Sequence, residues 1–136
     1  MRTHVLGNRK AFTLVELVVV VLIIGIIAAV AAPRMFDTAS DARTNSTRQS
    51  LVVLRSAIEL YNAKNNGYPT AAALKTAIKD YLKGPFPSIQ IGANQNDTVV
   101  ASTQNPINTP EAGGAGWVYN QTTGNISVND ATYISW

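Results

Sequence analysis

Cysteine is absent from this 136-residue chain, and its single histidine, His4, stands near the start. These absences remove any disulfide framework and leave almost no material for a zinc site or a His-based catalytic triad. They do not decide the redox compartment, because a domain of this size folds on an apolar core without crosslinks. Charge is also scarce, at 14% of residues, and the net +3 is local. Arg2, Arg9 and Lys10 precede the main apolar run, and without them 8 basic and 8 acidic side chains cancel. So balanced a remainder offers no basic patch for nucleic acid, and no nucleic-acid partner is expected. A phosphate-binding glycine loop is missing as well. No catalytic residue is expected, and the chain is read as a non-enzyme.

What the chain has in excess is apolar surface in one place. Residues 17–32 are sixteen consecutive apolar or glycine positions, whereas the rest is rich in Asn, Thr and Ser. Residues 12–32 as an α-helix span roughly 32 Å at about 1.5 Å per residue, matching a hydrocarbon core of about 30 Å. The basic residues ahead of it are a topological signal that keeps that end cytoplasmic. A rival reading is a cleaved secretory signal, for which Ala29-Val30-Ala31 is an acceptable site. The run is longer than the usual apolar stretch of about 7–15 residues. Glu16 is an ionisable group one turn inside this apolar helix. Two readings stay open for it: a functional carboxylate awaiting a partner, or a side chain that snorkels to the interface.

Lys10-Ala11-Phe12-Thr13-Leu14-Val15-Glu16, followed by the apolar run, resembles the processing site of type IV prepilins and type II secretion pseudopilins. The resemblance implies that a prepilin peptidase removes the basic leader, residues 1–11, between Ala11 and Phe12. It implies that Phe12 is then N-methylated. Members of the family usually carry Gly before the cut, where this chain has Ala11. The resemblance also gives Glu16 an assembly role: its carboxylate pairs with the cationic N-terminus of a neighbouring subunit. A buried carboxylate needs such a partner to be tolerated. Gly25 and Pro33 match positions where pilin-like helices carry helix-weakening residues. They form a stretch that loosens on assembly, or else Gly25 permits close helix packing and Pro33 bends the chain at the membrane surface.

Beyond Pro33 the helical pattern continues in amphipathic form. Leu51, Leu54, Ile58 and Tyr61, with Ala57 beside them, make one stripe, and Arg55, Glu59 and Lys64 face away. One long helix from about Phe12 to Asn66 is predicted, stopped by Asn65-Asn66-Gly67 with Pro69 beyond. Thr70 is placed to cap a second helix carrying Leu74, Ile78, Tyr81 and Leu82 and ending at Gly84-Pro85. Residues 65–70 and the helix after them also resemble the corresponding region of major pseudopilins. Later, residues 116–120 and 125–129 flank Gln121-Thr122-Thr123-Gly124 as a β-hairpin. Val99-Val100 is a further strand, and Tyr133, Ile134 and Trp136 a last one. Trp117 and Trp136 are read as core residues, and residues 92–116 as a variable surface loop.

The expected fold is α+β: a long N-terminal helix, half transmembrane and half amphipathic, packed on a small antiparallel sheet, type IV pilin-like. The expected organisation is leader 1–11, transmembrane and filament-core helix 12–32, and a periplasmic or extracellular domain 33–136. Major pseudopilins commonly bind calcium through a C-terminal acidic loop. Here Asp97, Glu111 and Asp130 are scattered, with Asp130 and Asn129 the nearest thing to a remnant, so no cofactor is expected. The resemblance implies a structural subunit of a helical filament anchored in the bacterial inner membrane. Its partners would be copies of itself, prepilin peptidase, an inner-membrane assembly platform and minor pilins or pseudopilins. A type II secretion pseudopilus is the leading reading and a type IV pilus the alternative. A non-polymerising exported or membrane-anchored binding protein is a third possibility.

Overall fold

The computed structural model describes residues 12–136, so the leader and Ala11 lie outside the described residues. Helix α1 spans Leu14–Asn65 without a break, through Gly25 and with Pro33 inside it. By internal contacts the chain divides into two units, and the boundary falls within α1 between Ala39 and Ser40. In the first unit every described residue is exposed, including Leu14, Val18, Leu22, Ile26 and Val30. Residues of that kind pointing outward all round a helix are the pattern of a segment surrounded by lipid or by other helices. The helix is long and apolar enough to cross a membrane.

The second unit begins its core at Thr47, whose hydroxyl donates to the Arg43 carbonyl (3.0 Å) and accepts from Gln90 N–H (3.2 Å). From there Leu51, Leu54, Ala57 and Ile58 are buried, as the 3–4 spacing predicts. Asn66 ends the helix in the left-handed region (φ 54°), with its N–H bonded to the Asn62 carbonyl. Asparagine tolerates that conformation and is a common terminator there.

The second helix departs from expectation. In place of one capped helix there is a short α2, Leu74–Ala77, followed by a 3₁₀ turn, Lys79–Tyr81. Thr70 does bond to Ala73 N–H, but this caps the preceding turn, and α2 has no side-chain cap. A segment this short has little cooperative helical stability of its own, and the tighter turn is the usual form of such pieces. Buried Leu74 and Ile78 hold it to the core, while Tyr81 meets Tyr61 edge-on at 6.3 Å.

The sheet has three short strands in the order β1 (Val99–Ala101), β2 (Trp117–Tyr119) and β3 (Ile126–Val128). β2 and β3 form the predicted antiparallel hairpin, with Trp117 opposite Val128. β1 runs parallel to β2, Val99 opposite Trp117, so the sheet is mixed where an antiparallel one was expected. The reason is the connection: residues 102–116 return the chain to the end of the sheet from which β1 started, which no tight hairpin does. Side chains then alternate between two faces. Trp117, Tyr119, Ile126 and Val128 join the α1 core, while Val118 packs on the other face with Ile107 and Ile134.

Trp117 is fully buried with its indole N–H bonded to the Pro87 carbonyl (2.9 Å). Trp136 is half-buried between Tyr133 and the Arg48 guanidinium. The last strand predicted at 133–136 is absent. Asp130 accepts from Thr132 N–H (2.9 Å), and Tyr133 N–H bonds back to the Asp130 carbonyl, turning the chain away from the sheet. Arg55 is drawn inward to donate to the Ile126 and Trp136 carbonyls.

The Gly67-Tyr68-Pro69 turn is tied to the hairpin. Tyr119 donates its buried hydroxyl to the Pro69 carbonyl (3.1 Å), and burial pushes that phenol up to about 12, so it stays a donor. Tyr68 lies over Gly124, where φ is +74° and a Cβ would come within 2.3 Å of the ring. Gly124→Ala is therefore expected to destabilise the domain by about 1–3 kcal/mol in chemical denaturation. Adding Tyr68→Ala should recover the steric part of that loss and leave the cost of the positive φ.

Candidate functional site

The N-terminal site is built by the first turn of α1. Phe12 is outside the helix and 87% exposed, and Thr13 is its N-cap. Thr13 Oγ1 accepts from Glu16 N–H at 3.2 Å. In return Glu16 Oε2 accepts from both the backbone N–H and the hydroxyl of Thr13, each at 2.8 Å. This is a reciprocal capping box, in which a residue and the one three positions on satisfy one another's free N–H groups. Glu16 thus has a partner inside its own chain, which neither sequence reading contained. The signal was present: Thr-x-x-Glu directly ahead of an apolar run is the pattern of such a cap.

The remaining residues singled out along α1 are not brought to this turn. A Cβ at Gly25 would meet nothing within 4 Å, so no contact in the single chain requires glycine there. Pro33 lacks the N–H that would reach the Ala29 carbonyl. One turn further, Thr38 donates to the Arg34 carbonyl at 2.9 Å, a side-chain bond that competes with regular helix bonding.

The second candidate is the C-terminal acidic region. Asp97 is engaged by Lys75 at 2.5 Å. Glu111 accepts from Ser102 Oγ (2.6 Å) and Gln104 Nε2 (2.9 Å). Asp130 accepts from Ala93 N–H (3.3 Å) through Oδ2 and from Thr132 N–H through Oδ1. Each carboxylate serves a different local bond. Among the described residues no three His, Cys, Asp or Glu side chains come together. A calcium ion needs six or more converging oxygens, and these three carboxylates do not converge.

The geometry defines a membrane-type helix with a polar capped start, and comparison with known proteins gives that segment its class. Residues 6–32 match the family model of the prokaryotic N-terminal methylation motif. The particular proteins to which the chain is similar include two kinds. It is 31% identical over 81 residues to the type II secretion system core protein G of Pectobacterium carotovorum subsp. carotovorum, covering 59% of this chain and 52% of that protein. The protein of the same name from Pseudomonas aeruginosa is 30% identical over 81 residues, covering 59% and 57%. The type IV narrow pilus major component PilA5 of Thermus thermophilus is 38% identical over 61 residues, covering 45% and 53%. The chain spans about half the length of the curated relatives it matches. No solved structure gives a significant match.

Two outcomes follow from this geometry. Thr13→Val should remove the hydroxyl half of the cap, at about 0.5–2 kcal/mol. Amide exchange of residues 14–17 in micelles would then accelerate, and Thr13→Ser would restore it. The bonds from Ser102 and Gln104 hold the Glu111 carboxyl below its usual value of 4.5. A lowered group stabilises the fold above its unfolded pKa and loses that contribution as pH falls through its folded one. Protease resistance of residues 102–115 should therefore drop on acidification below 4.5, and Glu111→Gln should flatten that dependence.

Proposed function

We propose that this chain is a structural, non-enzymatic subunit of a helical filament anchored in the bacterial inner membrane, and specifically of a type II secretion pseudopilus. The observation that carries this reading is the start of α1: an all-round apolar helix, exposed throughout, whose one acidic side chain is Glu16. Such a surface is stable only in lipid or against other apolar helices. The methylation motif over residues 6–32 and the similarity to type II secretion core proteins G support it. A type IV pilus is the second reading, favoured by the similarity to the narrow pilus component.

In this proposal prepilin peptidase cuts between Ala11 and Phe12, and Phe12 is N-methylated. Phe12 lies outside the helix. The new α-amine then lies close in sequence to the Thr13–Glu16 cap. On assembly Glu16 exchanges its own chain's N–H for the amine of a neighbouring copy, pairing two charges in an apolar bundle. Gly25 and Pro33 form the weak stretch of α1, where a missing hydrogen bond and a residue poorly suited to helices lower the cost of local loosening. In the second unit Val52, Val53 and Leu60 stay exposed on α1, and they extend the apolar surface available to neighbouring copies. An inner-membrane assembly platform and minor pilins or pseudopilins complete the set of partners.

Mass spectrometry of the protein from its native membrane is expected to find N-methylphenylalanine at Phe12. A terminus downstream of the apolar run would instead mark a simple exported protein. Glu16→Ala should leave clipping and membrane insertion intact and abolish filaments, read by shearing and electron microscopy. Normal filament yield in that variant would refute the pairing.

A further inference from the structure

We infer that the long segment between Gly92 and Gly116, whose one regular piece is β1, is held in one shape by side-chain amides, in a construction that takes no divalent cation. Composition alone suggests a loose surface loop, yet two asparagines bind it at several points each. Asn96 Oδ1 accepts from Gly116 N–H (2.8 Å), Thr98 N–H (3.1 Å) and Thr98 Oγ1 (2.6 Å), and its Nδ2 donates to the Gly114 carbonyl (2.8 Å). Asn129, only 3% exposed, accepts from Glu111 N–H (2.8 Å) and donates to the carbonyls of Glu111 (3.0 Å) and Ala115 (2.9 Å).

The chemistry of the Asn129 position separates an amide from a metal. Two main-chain carbonyl oxygens converge on one point, the arrangement a hard cation would exploit. That point is occupied by Asn129 Nδ2, which has two N–H donors, one for each carbonyl. The neighbouring Glu111 N–H faces the amide oxygen. Flipping the amide would set oxygen against two carbonyls and NH₂ against N–H, so the network fixes its orientation. A cation could satisfy the carbonyls but not the Glu111 N–H, whereas the amide satisfies all three. The carboxylates of Asp97, Glu111 and Asp130 do not converge there, and each bonds to another group. Gly116 completes the fit, because a Cβ there would lie within 2.4 Å of the Asn96 carbonyl oxygen.

The test uses the full chain in detergent micelles, followed by amide exchange of residues 92–116 and by thermal unfolding. For the unaltered protein, protection and midpoint should be the same in EDTA and in millimolar calcium. Asn129→Asp keeps the acceptor but turns an anion toward two carbonyls, and exchange in the segment should rise about tenfold or more. Loss of protection in EDTA, or a calcium-dependent rise in midpoint, would overturn the proposal without reference to any variant. So would an Asn129→Asp protein whose segment stays as protected as before. Neither result would touch the filament reading, which rests on the other end of the chain.

Discussion

An apolar helix that cannot remain in water sets the terms for everything else in this chain. Residues 12–43 offer no buried side chain within the single molecule, and most of the large ones from 14 to 30 are Val, Leu or Ile. Lipid resolves that conflict, and so does a bundle of like helices. A protein able to use both environments in succession needs a segment equally at home in each. A uniform apolar cylinder meets that need, since it has no fixed polar side to orient. Within residues 14–32, Glu16 is the one acidic group, and an intrachain cap keeps its carboxylate bonded before any neighbour is present. The same side chain thus has a local partner and, in the proposed filament, a second partner of opposite charge.

The second unit solves a different problem with modest means. Its regular structure after α1 is a four-residue helix, a single 3₁₀ turn and three strands of three residues each. So little ladder bonding would leave many backbone groups unpaired. Side chains make up the shortfall. Asn96, Asn120 and Asn129 each bind backbone at several points, Asn120 reaching Thr122, Thr123 and Gln104. No buried side-chain N or O among the described residues lacks a partner. The richness in asparagine, which reads as loop composition, is the material from which order is built.

The two units thus rest on opposite physics. The first is held by hydrophobic surface with almost no specific polar bonds, and the second by a small core closed with many. Their shared element, α1, shows both regimes along one sequence. Its register in the second unit is set by Leu51, Leu54 and Ile58 against the sheet, and its start by a polar cap.

From the residues alone one reads the long helix, its stripe, the hairpin around residues 121–124 and the N-terminal methylation motif. These are local or periodic properties: helical spacing, turn chemistry and apolar length act over a few neighbours. The cap was equally local, and Thr-x-x-Glu spells it out. Other features were decided only when distant segments met. The parallel pairing of β1 depends on the long return of residues 102–116, the 3₁₀ turn follows a helix of only four residues, and the strand at 133–136 is replaced by a turn at Asp130. The embrace of residues 111–115 by Asn129 joins positions 14 to 18 apart, and that of the Pro69 carbonyl by Tyr119 joins positions 50 apart. No pattern of spacing announces such bonds. An amide is an unspecific donor and acceptor until the folded chain gives it a particular carbonyl to face.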